Sequence, residues 1–129
     1  MKIAAIDVGL KRIGVAFCFD GSIVLPQNAI IRKGRKQASR DISNLLKEWG
    51  IKKLIVGLPK GGNFEDEMER RIKHFVSLLD IEGVEVEYID ESFSSYEAKE
   101  ELKGIIKQKR DGRIDSMAAK IILERYLGV

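Results

Sequence analysis

Near the N-terminus two apolar runs each stop on an aspartate: Ile3 to Ile6 ends at Asp7, and Ile13 to Phe19 ends at Asp20-Gly21. Both read as strands, and Asp-Gly between hydrophobic segments is a strong short-range hairpin signal. A third strand is therefore expected from about Ser22 towards Ile31, so that three antiparallel strands open the chain.

The period then changes. Ala38, Ile42, Leu45, Leu46 and Trp49 recur at helical spacing, with Gly50 placed for a left-handed cap. Leu54-Ile55-Val56 is a short apolar run stopped by Gly57 and Pro59, which suits a strand buried on both faces. Met68, Ile72, Phe75, Val76 and Leu79 repeat the helical pattern, and the Val84, Val86, Tyr88 alternation follows Gly83 as another strand. His74 lies off the apolar stripe and reads as a solvated helix-face residue. Ser94 and Glu97 have the spacing of a capping box at a helix start. The 104–113 stretch is basic without an apolar stripe, and a last helix is expected from about Ile114 to Leu127. A hairpin set continued by alternating helices and strands implies an α/β fold: a five-stranded mixed sheet flanked by α-helices.

With 129 residues, the chain is expected to form one domain, 1–129, around a single core. Its 44% apolar and 33% charged residues fit an ordinary globular protein. The single cysteine, Cys18, sits inside an apolar run and reads as a buried thiol in a reducing compartment. No run approaches the roughly 20 apolar residues of a membrane span, and no basic leader precedes a long apolar stretch, so a cytoplasmic location is expected. One His and one Cys argue against a His/Cys zinc site, so any catalytic metal must be held by oxygen.

Three acids are placed to do so. Asp7 ends the first strand, Glu91 ends the last, and Asp115 opens the last helix on the same face as Ala118, Ala119, Ile122 and Tyr126. The two alanines would let that helix approach the sheet and carry Asp115 to the strand ends. Carboxylates without His or Cys suit hard cations, Mg²⁺ or Mn²⁺, and two such ions roughly 4 Å apart can activate water and stabilise the leaving oxygen of a phosphodiester. Each acid also has a plain structural use: Asp7 as a strand end, Glu91 as a solvated loop residue, Asp115 as a complement to the helix dipole. Taken singly, that use is the simpler one for Glu91 and Asp115. The formal charge of +3 tolerates a polyanionic partner without requiring one. The basic residues cluster at Lys11-Arg12, at Arg32, Lys33, Arg35 and Lys36, and at Lys107, Lys109, Arg110 and Arg113, and each cluster serves equally well as a solvated loop.

The run Asp7-Val8-Gly9-Leu10-Lys11-Arg12-Ile13-Gly14-Val15-Ala16 closely resembles the opening motif of the YqgF family of RNase H-like nucleases, relatives of Holliday-junction resolvases. Three later stretches agree in order: Ile55-Val56-Gly57-Leu58-Pro59; Asp90-Glu91 with Ser94, Ser95, Glu97 and Ala98; and Ile114-Asp115 with Ala118-Ala119, Ile122-Leu123 and Tyr126-Leu127. The resemblance implies an RNase H-like fold and a metal-dependent nuclease maturing the 5′ end of the pre-16S ribosomal RNA, with a junction-resolving role as the alternative. It implies Asp7, Glu91 and Asp115 as catalytic residues and metal ligands. Lys11, Arg12, Lys107, Lys109, Arg110 and Arg113 are candidate nucleic-acid contacts, and either a monomer or a homodimer is compatible. Ser92 stands where the family often has arginine, which weakens phosphate contact from that loop; Ser94 and Ser95 replace the usual threonines and can still cap a helix.

In an RNase H strand order the first and last strands are separated by one strand, or about 10 Å at roughly 5 Å per ladder step. A long side chain spans this best, which favours Glu91 over Asp90. Two other readings compete. Asp-x-Gly at a strand end also holds nucleotide phosphate in the actin and sugar-kinase superfamily, but such kinases close two domains over ATP and this chain supplies one. A non-catalytic nucleic-acid-binding module would keep the basic clusters without bringing the acids together.

Overall fold

Five strands and three helices make up the residues described by the computed structural model, 2–58, 65–90 and 116–129. In chain order they are β1 (Ile3–Val8), β2 (Arg12–Cys18), β3 (Val24–Ile31), α1 (Arg35–Glu48), β4 (Lys53–Leu58), α2 (Glu65–Ser77), β5 (Glu85–Asp90) and α3 (Met117–Leu127). The sheet runs β3-β2-β1-β4-β5. β1 pairs antiparallel with β2 and parallel with β4, with Ala4 opposite Phe17 on one side and Leu54 on the other. The expected mixed sheet is therefore present, and β1 and β5 are separated by β4 alone. The helix start expected at Ser94 and the basic 104–113 stretch lie outside the described residues.

The continuous apolar runs reflect burial on both faces. Ala4, Ile6 and Val8 of β1, with Ile13, Val15, Phe17, Leu54 and Val56, pack under α1 and α2. Ile3 and Ala5, with Ala16, Cys18 and Ile55, pack under Ala119, Ile122 and Leu123 of α3. Cys18 is buried, as expected, and His74 is exposed on α2.

Local chemistry sets the turns. The β2–β3 connection is longer than a two-residue hairpin. Asp20 accepts hydrogen bonds from the Ser22 and Ile23 N–H groups at 2.9 and 3.0 Å, an aspartate turn that holds its carboxyl below the ordinary value. Gly21 takes the left-handed conformation beside it. At the end of α1, Gly50 is left-handed and the Ile51 N–H donates to the Leu46 carbonyl at 2.9 Å, a Schellman closure. Lys53 stands over the Tyr126 ring at 4.8 Å and pairs with Glu87 at 3.0 Å. The Tyr126 hydroxyl and then Glu87 raise its pKa, and the bond to Lys53 lowers that of Glu87.

Among larger apolar residues, the interface between α3 and the sheet places small ones opposite one another: Ala5 and Ala16 are fully buried below, and Ala119 above. Replacing Ala119 with leucine adds volume where neither side can yield, and is expected to cost about 1–3 kcal/mol. Urea denaturation measures this; a variant as stable as the parent would show that α3 is loosely seated.

Candidate active site

Asp7 is partly buried near the C-terminal end of β1, in register with Gly14 of β2. Side chains alternate along a strand, so Asp7 shares the α3 face with Ile3 and Ala5. Its neighbours on that face are unusual. Gly14 lies opposite on β2, and on β4 Gly57 follows Val56, the partner of Ile6. The two strands that flank Asp7 thus contribute no side chain directly beside it.

The turn after β1 holds the strand end in place. The Gly9 N–H donates to the Arg12 carbonyl at 3.0 Å, and a Cβ on Gly9 would fall 2.5 Å from that oxygen, so only glycine fits. Arg32 braces the same turn from the far side of β2: its N–H donates to the Lys11 carbonyl at 2.8 Å and its Nη1 to the Gly9 carbonyl at 2.9 Å. Lys11 and Arg12 are exposed on this turn, within five residues of Asp7 in sequence.

α3 is fixed to the same region by one buried bond. The β2–β3 ladder is irregular between Ile13 and Val15, with one extra residue on β3. There the Val15 N–H donates to Ser116 Oγ at 3.0 Å. Ser116 stands at the N-cap of α3 and is fully buried, yet its hydroxyl makes no capping bond to the helix. It pins the helix start to the residue beside Gly14, and Asp115 immediately precedes it in the chain. On the other side β5 alternates so that Ile89 packs on the α3 face, and Glu91 is two residues further on. Glu91 and Asp115 themselves lie outside the described residues, as do Lys107, Lys109, Arg110 and Arg113.

Among the described residues no three His, Cys, Asp or Glu come together as a metal site. The donor available at the strand ends is Asp7, an oxygen ligand, while Cys18 is at the other end of the β2 ladder, opposite Ile3. An oxygen donor at this place fits a hard divalent cation and does not fit a thiolate-type metal.

This arrangement has counterparts. The sequence matches the RuvX family, described as Holliday junction resolvase, over residues 1–128. The chain belongs to that family. It is 63% identical over 129 residues to a Sulfurovum sp. (strain NBC37-1) protein named "Putative pre-16S rRNA nuclease", with both chains fully covered. A Sulfurimonas denitrificans protein of the same name is 53% identical over 127 residues, covering 98% of this chain and 97% of the relative. Among solved structures, T. thermophilus RuvC in complex with a Holliday junction substrate superposes with a TM-score of 0.58 at 14% identity, covering 99% of this chain and 96% of that one. The Fowlpox virus resolvase with its junction DNA gives 0.56 at 14% identity, covering 99% and 97%. The fold of this RuvX-family chain is thus RNase H-like, as the YqgF resemblance implied.

Sequence reasoning singled out Asp7 but missed its setting. Gly14 and Gly57 both stand inside the recognised stretches, and glycine within a strand is a signal for close approach. Ser116 was hidden because the last helix was expected from about Ile114, which put it inside the helix, whereas the helix runs Met117–Leu127 with Ser116 at its N-cap. Removing its hydroxyl leaves the Val15 N–H unpaired in the core, so Ser116→Ala is expected to lower stability by about 1–3 kcal/mol. A loss below about 0.5 kcal/mol, the scale of a neutral surface change, would mean that the bond does not hold α3 in place.

Proposed function

We propose that this chain, acting as one unit over residues 1–129, is a metal-dependent nuclease that hydrolyses phosphodiester bonds in the 5′ region of pre-16S ribosomal RNA. Asp7, Glu91 and Asp115 are its catalytic carboxylates and hold Mg²⁺ or Mn²⁺. The supporting observation is that described residues next to the candidate acids lie at one end of the sheet. Asp7 lies there between two glycines, the Val15–Ser116 bond brings the residue after Asp115 to the same level, and β5 ends one strand away. The names of the full-length relatives favour ribosomal RNA as substrate.

A divalent ion bound there supplies positive charge against the phosphate and hydroxide near neutral pH. Asp7 contributes a carboxylate oxygen at the end of β1, where Gly14 beside it adds no side chain. Lys11 and Arg12 hold the backbone beside it, with Lys107, Lys109, Arg110 and Arg113 contacting it elsewhere. No helix among the described residues is long and apolar enough to cross a membrane, and the proposed site of action is the cytoplasm, as a monomer or homodimer. The family's description favours a second reading, cleavage of a four-way DNA junction.

Asp7→Asn keeps size and hydrogen bonding but removes one charge. It is expected to slow cleavage on the order of a thousandfold, or several kcal/mol of barrier, while sparing fold and most nucleic-acid affinity. Precursor RNA and a four-way junction, offered side by side with Mg²⁺ or Mn²⁺, tell the two substrates apart. A variant that cuts as fast as the parent would move the activity elsewhere and leave a binding module.

Neutralising Lys107, Lys109 and Arg110 together should reduce the slope of log affinity against log salt by about 0.7 to 0.9 for each phosphate no longer paired with a cation. An unchanged slope would assign that segment to solvent.

A further inference from the structure

Three arginines from three separate segments line one pocket on the α1/α2 side of the sheet: Arg32 after β3, Arg35 at the first position of α1, and Arg71 of α2. The cavity holds about 80 Å³ and its wall includes Val8 and Gly9, with no carboxylate lining it among the described residues. Arg32 is partly buried, with its guanidinium over the Phe75 ring at 5.4 Å. Burial lowers its pKa, and the nearby charges of Arg35 and Arg71 push it the same way.

This concentration of positive charge is poorly compensated. The first turn of α1 has Arg35 and Lys36 and no acid, although the positive end of the helix dipole favours negative groups there. The Gln37 side chain accepts from the Lys33 and Gly34 N–H groups at 2.8 and 3.2 Å, which satisfies the backbone but adds no charge. Arg71 pairs with Glu67 at 2.6 Å, but both side chains are about half exposed, where such a pair contributes little. Three guanidiniums that repel one another around a small open cavity are stabilised by an anion, and the planar fork of arginine matches the oxygens of phosphate. The volume suits a single phosphate: it is on the order of two to three waters at roughly 30 Å³ each.

The pocket also has a definite relation to the site. Val8 and Gly9 in its wall directly follow Asp7, but Val8 points into the α1/α2 core while Asp7 is on the α3 face. We propose that Arg32, Arg35 and Arg71 form a phosphate seat that holds a backbone phosphate of the substrate strand, away from the scissile bond, where the strand crosses the end of β1. The nucleic-acid part of this inference rests on the nuclease reading; the anion site itself does not. Because Arg32 also braces the Gly9 turn, the test leaves it intact and uses Arg35→Gln/Arg71→Gln.

Inorganic phosphate titrated into the parent should produce saturable shifts of the arginine Nε–H resonances of this pocket, and none at Arg32 in the double variant. Binding of single-stranded RNA in EDTA should show a salt slope smaller by about 0.7, one phosphate's worth on a single strand. With Mg²⁺, KM should rise about tenfold with kcat unchanged, because the seat is remote from the reacting atoms. Absence of selective phosphate shifts, or a double variant with the parent's slope and KM, overturns the seat. A parent that cleaves neither RNA nor junction overturns the nuclease reading instead, and the phosphate titration then decides the pocket by itself.

Discussion

Burial of β1 on both faces is the constraint from which the rest of the molecule follows. Ala4, Ala5 and Ile6 are wholly shielded from solvent, so the strand needs a partner along each edge for its backbone groups and a helical layer over each face. Antiparallel β2 and parallel β4 supply the edges, and α1 with α2 on one side and α3 on the other supply the layers. Polar chemistry is then confined to the end of the strand. Since β1, β4 and β5 run parallel, their carboxyl ends share one edge of the sheet, the place where open α/β sheets put their ligands.

How closely that edge is assembled depends on α3. Ala5, Ala16 and Ala119 let the helix approach the sheet, and Ile122 and Leu123 beside Ala119 pack against the same face. The bond from Val15 to Ser116 then fixes the start of the helix against β2. It uses a serine that would otherwise cap its own helix, so the helix gives up a local interaction for a tertiary one at the irregularity of the β2–β3 ladder.

Much of this was legible in the sequence because period and punctuation agree with the fold. The runs ending at Asp7 and at Asp20-Gly21, the stripe from Ala38 to Trp49 and the run Leu54-Ile55-Val56 each became the expected element, within a few residues at the ends, although β4 continues through Gly57 to Leu58 where a stop was expected. Asp7 stood out because an acid closing a buried strand has few structural uses. The basic residues from Arg32 to Lys36 were harder to read. As a string they look like a solvated loop, but Arg35 and Lys36 begin α1, and Arg32 turns inward to the Gly9 carbonyl. Arg71, distant in sequence on α2, had no signal linking it to them, since helical spacing gives a residue's face and not its partner on another element. Ser116 and the two strand glycines were obscure for a similar reason: their roles are relations across strands, which a linear pattern does not encode.

A formal charge of only +3 conceals a division across the end of β1. On the α3 face stands the carboxylate of Asp7; on the α1/α2 face, beyond Val8 and Gly9, stand three guanidiniums. Both groups border the end of β1, since Val8 and Gly9, which follow Asp7, also form part of the wall of the arginine pocket, and both therefore face a polyanion passing over that end of the sheet. In the proposed reading, arginine on one face offsets the repulsion that carboxylate on the other imposes on a phosphate backbone, and the strand is held before any metal joins it to the acid. Affinity and cleavage then rest on groups at opposite faces of the sheet, carried by different elements that meet at the end of one strand, which allows either to change in evolution without dismantling the other.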